Sequence, residues 1–103
     1  MKGLLEVKNP TTKVHLRYRK DRVVPMEYRP QLLHALFVAG PEYRFIDFFS
    51  YDVRLPENLR IFCVRLWRDE QEIDSHAEAV KVFLDEIAHE IVTLTEGEET
   101  PHA

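Results

Sequence analysis

The densest set of functional groups in the sequence lies at residues 13–20, KVHLRYRK. Lys13, His15, Arg17 and Arg19 alternate with Val14, Leu16 and Tyr18. At a period of two this reads as a β-strand with one cationic face and one apolar face. Side chains two apart on a strand lie roughly 7 Å apart, so such a row extends about 20 Å. A row of that kind can meet an acidic protein surface or a phosphate backbone. Tyr18 falls on the face opposite the arginines, whereas a base-stacking surface needs its aromatics beside its charges. Lys13, His15, Arg17 and Arg19 are therefore expected to face solvent and bind an acidic protein partner. Nucleic acid is the weaker, salt-sensitive alternative.

The histidines offer less. Glu86 and His89, in EIAHE, have the i, i+3 spacing found in di-iron carboxylate bundles, which need a second such motif on another long helix. HEIVT begins like a zinc-protease helix, but Thr93 stands where the second histidine is required. His34 interrupts an apolar helix, and a small enzyme or ligand-binding site built on His34, Asp47 and Tyr51 is a further alternative. The five histidines show no paired ligand spacing, so no metal site is expected. The three glycines lie far apart and form no phosphate loop, and no motif asks for a cofactor. Cys63 is the one cysteine, which excludes an intrachain disulfide, and its place in RIFCVRL reads as a buried, reduced thiol.

Charge is unevenly spread along the 103 residues, whose net charge is −4. Residues 1–34 hold eight Lys/Arg against three Asp/Glu, and residues 69–103 hold one against eleven. A basic front and an acidic back imply charged partners or self-complementarity. The length fits one domain, here placed at 1–95, with 96–103 as an acidic disordered tail. No apolar run is long enough for a membrane span, and a cytoplasmic location is the default expectation.

The elements that must position these groups follow from periodicity. GLLEVK and residues 13–20 read as a hairpin joined by the NPTT turn. Pro30 opens a helix that Gly40–Pro41 closes. Residues 44–54 favour a strand over a helix, and 59–67 read as a central strand. Ser75 and Glu78 have capping-box spacing before a last helix, whose Phe83, Ile87 and Ile91 are expected against the sheet above Phe62 and Val64. An offset of 48 aligns residues 14–21 with 62–69 and suggests an internal duplication. The expected fold is α+β, ordered β-β-α-β-β-α: a four-stranded antiparallel sheet with two helices packed on one face.

The helix at 30–39 is apolar nearly all round, so more than one side must be covered. The second helix, the FIDFF segment or a second subunit can supply that cover, and a homodimer is expected with Leu33 and Phe37 as oligomer-interface anchors. Lacking a catalytic motif, the chain reads as a small non-catalytic protein-binding or regulatory module, homodimeric and without a cofactor. The first alternative is a nucleic-acid-binding regulator using the basic segment 13–20.

Overall fold

In a computed structural model, which describes residues 1–98, the element order is β-α-α-β-β-α. Strand β1 (Lys2–Lys8) is followed by helices α1 (Thr12–Asp21) and α2 (Arg29–Ala39). Strands β2 (Tyr43–Tyr51) and β3 (Ile61–Trp67) come next, then the long helix α3 (Glu70–Glu98). The sheet has three strands in the order β1-β2-β3, with β1 parallel to β2 and β3 antiparallel to it. This replaces the expected four-stranded antiparallel sheet, and the expected tail beyond residue 98 lies outside the described residues.

The fourth strand was to be residues 13–20, and they are helical. Thr11 caps α1, its hydroxyl accepting from the Val14 amide, and Arg22 closes it in the left-handed conformation at φ 57°. Val14 and Tyr18 are four apart and His15 and Tyr18 three apart, so the same letters that alternate on a strand also form one helical face. A chain leaving β1 through a helix pair can return parallel to it, which a hairpin cannot do. The duplication fails for the same reason, because 14–21 is all helix while 62–67 is strand.

Register divides the sheet into two faces. Leu4, Glu6 and Lys8 lie beside Ile46, Phe48 and Ser50, which lie beside Leu66, Val64 and Phe62. This inner face is under the helices, and Leu32 and Leu36 of α2 close on it. Phe48 is its centre: it is fully buried, with Tyr18 edge-on at 5.4 Å and Tyr28 tilted at 5.4 Å between ring centroids. Burial, then the adjacent Tyr28 hydroxyl, pushes the Tyr18 phenol up to about 12. The folded state thus favours the neutral phenol. Its contribution to stability is complete below pH about 10 and is lost as pH rises from there through about 12. Denaturant midpoints should fall over that window, and Tyr18→Phe should flatten the fall. An equal fall in both proteins would refute this.

Helix α3 starts earlier than the capping box at Ser75 implied. Asp69 caps it, its Oδ1 accepting from the Gln71 and Glu72 amides at 2.9 and 3.1 Å. The first turns of α3 dock on α2: Ile73 is buried, and Arg29 holds Glu72 at 2.7 and 2.8 Å. Just before α3, the buried Arg68 side chain donates to the Leu36, Gly40 and Tyr43 carbonyls at 2.9–3.3 Å, tying the end of α2 to the sheet.

Beyond Val80, α3 leaves the body, correcting the expectation for its apolar face. Phe83, Ile87 and Ile91 are 59, 41 and 57% exposed instead of covering Phe62 and Val64. The sheet is three strands wide and α1 and α2 already cover its inner face. Ile87→Ala should therefore change stability by only about 0.5 kcal/mol, as exposed positions do, rather than by the 2–5 kcal/mol of a core truncation. Thermal or denaturant unfolding of the two proteins checks this.

Candidate functional site

Four side chains from β1 and the start of α2 converge on one spot. Glu6 and Lys8 are two apart on β1, so both lie on the inner face, at its carboxyl end. Tyr28 and Gln31 are three apart where α2 begins, so they share a side of the first turn, with Pro30 fixing its backbone. The Lys8 ammonium lies 3.1 Å from Glu6 Oε1 and donates to Gln31 Oε1 at 3.4 Å. Gln31 Nε2 donates in turn to Glu6 Oε1 at 3.4 Å, closing a three-membered ring of contacts. Lys8 Nζ also sits 4.6 Å above the centroid of the Tyr28 ring. The Glu6 and Lys8 side chains are 30 and 23% exposed, so the pair is largely withdrawn from solvent yet reachable.

A half-buried carboxylate and ammonium in contact have a definite chemical use. The ammonium can stabilise negative charge developing on a phosphoryl or acyl oxygen, most effectively where water is sparse. The carboxylate is a hard oxygen donor suited to Mg²⁺. The Gln31 amide, bonded to both, sets their separation. Open α/β sheets bind ligands beyond the carboxyl ends of their parallel strands, and Lys8 is the last residue of β1. Among the described residues no cluster of three His, Cys, Asp or Glu forms, so Glu6 is a partial ligand set by itself.

The sequence reading used Glu6 and Lys8 only as part of a strand. The signal available was an acid and a base two apart at a strand end, followed by a Tyr-x-x-Gln helix start.

The residues singled out from the sequence lie elsewhere. Lys13 and Arg17 are exposed on α1, and Arg17 pairs with Glu27. Arg19 donates to the Ile61 carbonyl at the sheet edge. His15 is fully buried, so the four do not form one solvent-facing row. Its Nε2–H donates to the Leu59 carbonyl at 2.8 Å, and Nδ1 accepts from the Ser50 hydroxyl at 2.7 Å. This serine–histidine pair has no access to a substrate, since Ser50 is also fully buried.

His34 is not joined to Asp47 or Tyr51. Its Nδ1 is 2.9 Å from Nε2 of His76 on α3, while Asp47 pairs with Arg65 at 2.8 and 3.0 Å on the other sheet face. Leu33 and Phe37 are half-buried, and the Phe37 ring packs 5.9 Å from that of His76. The second apolar side of α2 is thus covered by the start of α3, one of the three covers that its apolar circumference left open. Glu86 and His89 lie on the exposed part of α3. Cys63 is exposed on the outer face of β3, not buried, because the strand register places it beside Phe49 on that face.

At the end of β2, Asp52 is buried, and one of its carboxylate oxygens has no hydrogen-bond partner. Its other oxygen accepts from the amide and Nε of Arg54, at 3.0 and 2.8 Å. The Arg54 side chain first, then the nearby Thr12 hydroxyl, hold its carboxyl well below the usual carboxylate range. Asp52 fastens the β2 turn to the start of α1 and takes no part in the Glu6–Lys8 cluster.

The comparisons with known proteins bear on the same segment. The YqaJ-like viral recombinase domain family matches residues 1–42, which carry Glu6, Lys8, Tyr28 and Gln31. The fold matches the crystal structure of an alkaline exonuclease, LHK-Exo, from Laribacter hongkongensis, with a TM-score of 0.86 and 34% sequence identity. The match covers 94% of this chain and 49% of that one. The structure of LHK-Exo in complex with dAMP matches equally well, with a TM-score of 0.87 and 34% identity over 95% of this chain and 49% of that one. This chain spans about half the length of the exonuclease. A search of curated protein sequences finds no match. These likenesses, to a viral recombinase domain and an alkaline exonuclease, overturn the expected regulatory, non-catalytic protein-binding module.

Proposed function

We propose that the chain carries part of a phosphodiester-hydrolysing centre that acts on DNA, with Glu6 and Lys8 as its reacting-site residues. The observation that carries this reading is the Glu6–Lys8–Gln31 ring at the end of β1. It lies within the residues matched by a recombinase family, on a fold shared at 34% identity with an exonuclease. Nucleic acid is thus the partner, but the basic segment 13–20 is not the surface that holds it at the point of cleavage.

Cleaving a phosphodiester builds negative charge on the non-bridging and leaving oxygens. Lys8, anchored by Glu6 and Gln31 and backed by the Tyr28 ring, is set to neutralise that charge without first reorganising water. Glu6 fits one ligand position of a divalent cation such as Mg²⁺, which when bound would polarise the phosphate and lower the pKa of an attacking water. Gln31 keeps the carboxylate and ammonium apart at a fixed distance, and Tyr28 limits the ammonium to the side facing Glu6.

The test is release of nucleotides from end-labelled linear duplex DNA with Mg²⁺ between pH 7 and 9. It is run with this chain alone and with the chain co-expressed with the half of the exonuclease that it does not cover. Cleavage that Glu6→Gln weakens, with a raised Mg²⁺ requirement, supports the reading. Absence of cleavage in both arms, or cleavage indifferent to Glu6, removes it.

A further inference from the structure

One pair of titratable side chains stands apart from the Glu6–Lys8 centre. His34 of α2 and His76 of α3 meet at the root of α3, with Nδ1 of the first 2.9 Å from Nε2 of the second. The two are 42 residues apart, so no local ligand spacing in the sequence could show them. His34 is exposed and His76 half-buried. Neither ring has another hydrogen-bond partner among the described residues, so the contact belongs to no larger network.

Two neutral imidazoles in this position have two uses for their facing nitrogens. One ring can donate its N–H to the lone pair of the other, or both can turn lone pairs to a metal ion. The second arrangement has a definite span. Zn–N bonds of about 2.0–2.1 Å, at ligand angles of about 90–109°, place two ring nitrogens about 2.8–3.4 Å apart. The observed 2.9 Å falls within that range. The rings are also held. Phe37 packs against both, its centroid 6.2 Å from that of His34 and 5.9 Å from that of His76, and the two imidazoles stand at 70° to each other. About one turn away, the Arg29–Glu72 ion pair ties the same two helices together.

That ion pair also selects the kind of ion. Arg29 takes both Glu72 oxygens, at 2.7 and 2.8 Å, so this carboxylate is not offered to the imidazoles. No cluster of three His, Cys, Asp or Glu forms among the described residues, so the protein supplies two nitrogen ligands here. Imidazole donors suit borderline dications such as Zn²⁺, Ni²⁺ and Cu²⁺, whereas Mg²⁺ takes oxygen. A groove of about 540 Å³ between α2 and α3, lined in part by Ser75 and His76, admits water to complete the coordination.

From this geometry we infer that His34 and His76 form a two-histidine site for a borderline dication such as Zn²⁺, which bridges α2 to α3. On binding, whichever ring donates the hydrogen bond moves that proton to its other nitrogen. Both rings then present a lone pair, and the neutral pair releases no proton. His34 lies one turn beyond Gln31 on α2, so the bridge stiffens the helix that lays Tyr28 and Gln31 over Glu6 and Lys8. The site stands whether or not Glu6 and Lys8 cleave DNA.

The experiment titrates Zn²⁺ into the metal-free full chain by calorimetry, with Mg²⁺ in excess to occupy oxygen ligands. The expected result is one Zn²⁺ per chain at micromolar affinity, with a higher melting temperature. The ring NMR signals of His34 and His76 should shift while those of the other three histidines stay. His34→Asn and His76→Asn should each weaken binding at least about tenfold, since even outer-shell changes at metal sites cost about 10–100-fold. His89→Asn, on the exposed part of α3, should bind as wild type does. Should either variant lose its circular dichroism, the wild-type ring signals decide by themselves. No binding, or binding indifferent to both substitutions, overturns the inference. Binding that His89→Asn removes overturns it by moving the site to Glu86 and His89. One Zn²⁺ per two chains overturns it by placing the ion between copies. A lower melting temperature with Zn²⁺ overturns it as well, because the ion then prefers the unfolded chain.

Discussion

Under the proposed hydrolytic function, replacing Lys8 with alanine should lower DNA cleavage about 10²–10³-fold, the usual cost of removing one preorganised charge-stabilising donor. Lys8 Nζ is held by Glu6 at 3.1 Å, by Gln31 at 3.4 Å and by the Tyr28 ring at 4.6 Å, so its position is fixed before substrate arrives. The loss should fall mainly on kcat, because the ammonium meets charge that develops in the transition state. Lys8→Arg should recover little, since a planar guanidinium cannot occupy the compact space between a carboxylate and an aromatic face. Glu6→Gln should instead shift the Mg²⁺ concentration needed for half-maximal rate upward. Single-turnover cleavage at several Mg²⁺ concentrations separates the two effects. An equal rate for Lys8→Ala and wild type would remove the lysine from the centre.

Phe48→Ala should cost about 3–5 kcal/mol, the range for truncating a fully buried aromatic residue. Phe48 is beside Glu6 in the sheet register and its ring touches both Tyr18 and Tyr28. Its removal opens a void beneath the first turn of α2, so Tyr28 and with it the Lys8 contact should loosen. Domains of this size are stable by about 5–15 kcal/mol, so the variant should sit near the edge of unfolding at 25 °C. Denaturant titration gives the cost directly. A loss below about 1 kcal/mol, the level of an ordinary point substitution, would mean that Phe48 is not the centre of the core.

The sequence by itself determined those elements whose signal is local. Pro30 and Gly40 bracket α2, observed at Arg29–Ala39, and the aromatic run at 44–54 contains most of β2. Residues 3–8, read as a short strand, fall within β1, Lys2–Lys8, whichever way it pairs. Residues 13–20 could not be settled locally, because Val14, His15 and Tyr18 satisfy a period of two and a helical face alike. What decides is the parallel return of β2 to β1, a contact some forty residues distant in sequence. That one contact turns the expected hairpin into a helical crossover and buries His15, and with it the cationic row disappears. It also makes the site: Glu6 and Lys8 look like ordinary strand residues until α2 lays Gln31 and Tyr28 over them. The exposure of α3 beyond Val80 was equally hidden, since an apolar stripe records that a helix face seeks cover but not which surface supplies it. The chemistry depends on which face of β1 meets α2, and only the tertiary structure sets that, because a strand's side chains choose a face through its partners and not through its own letters.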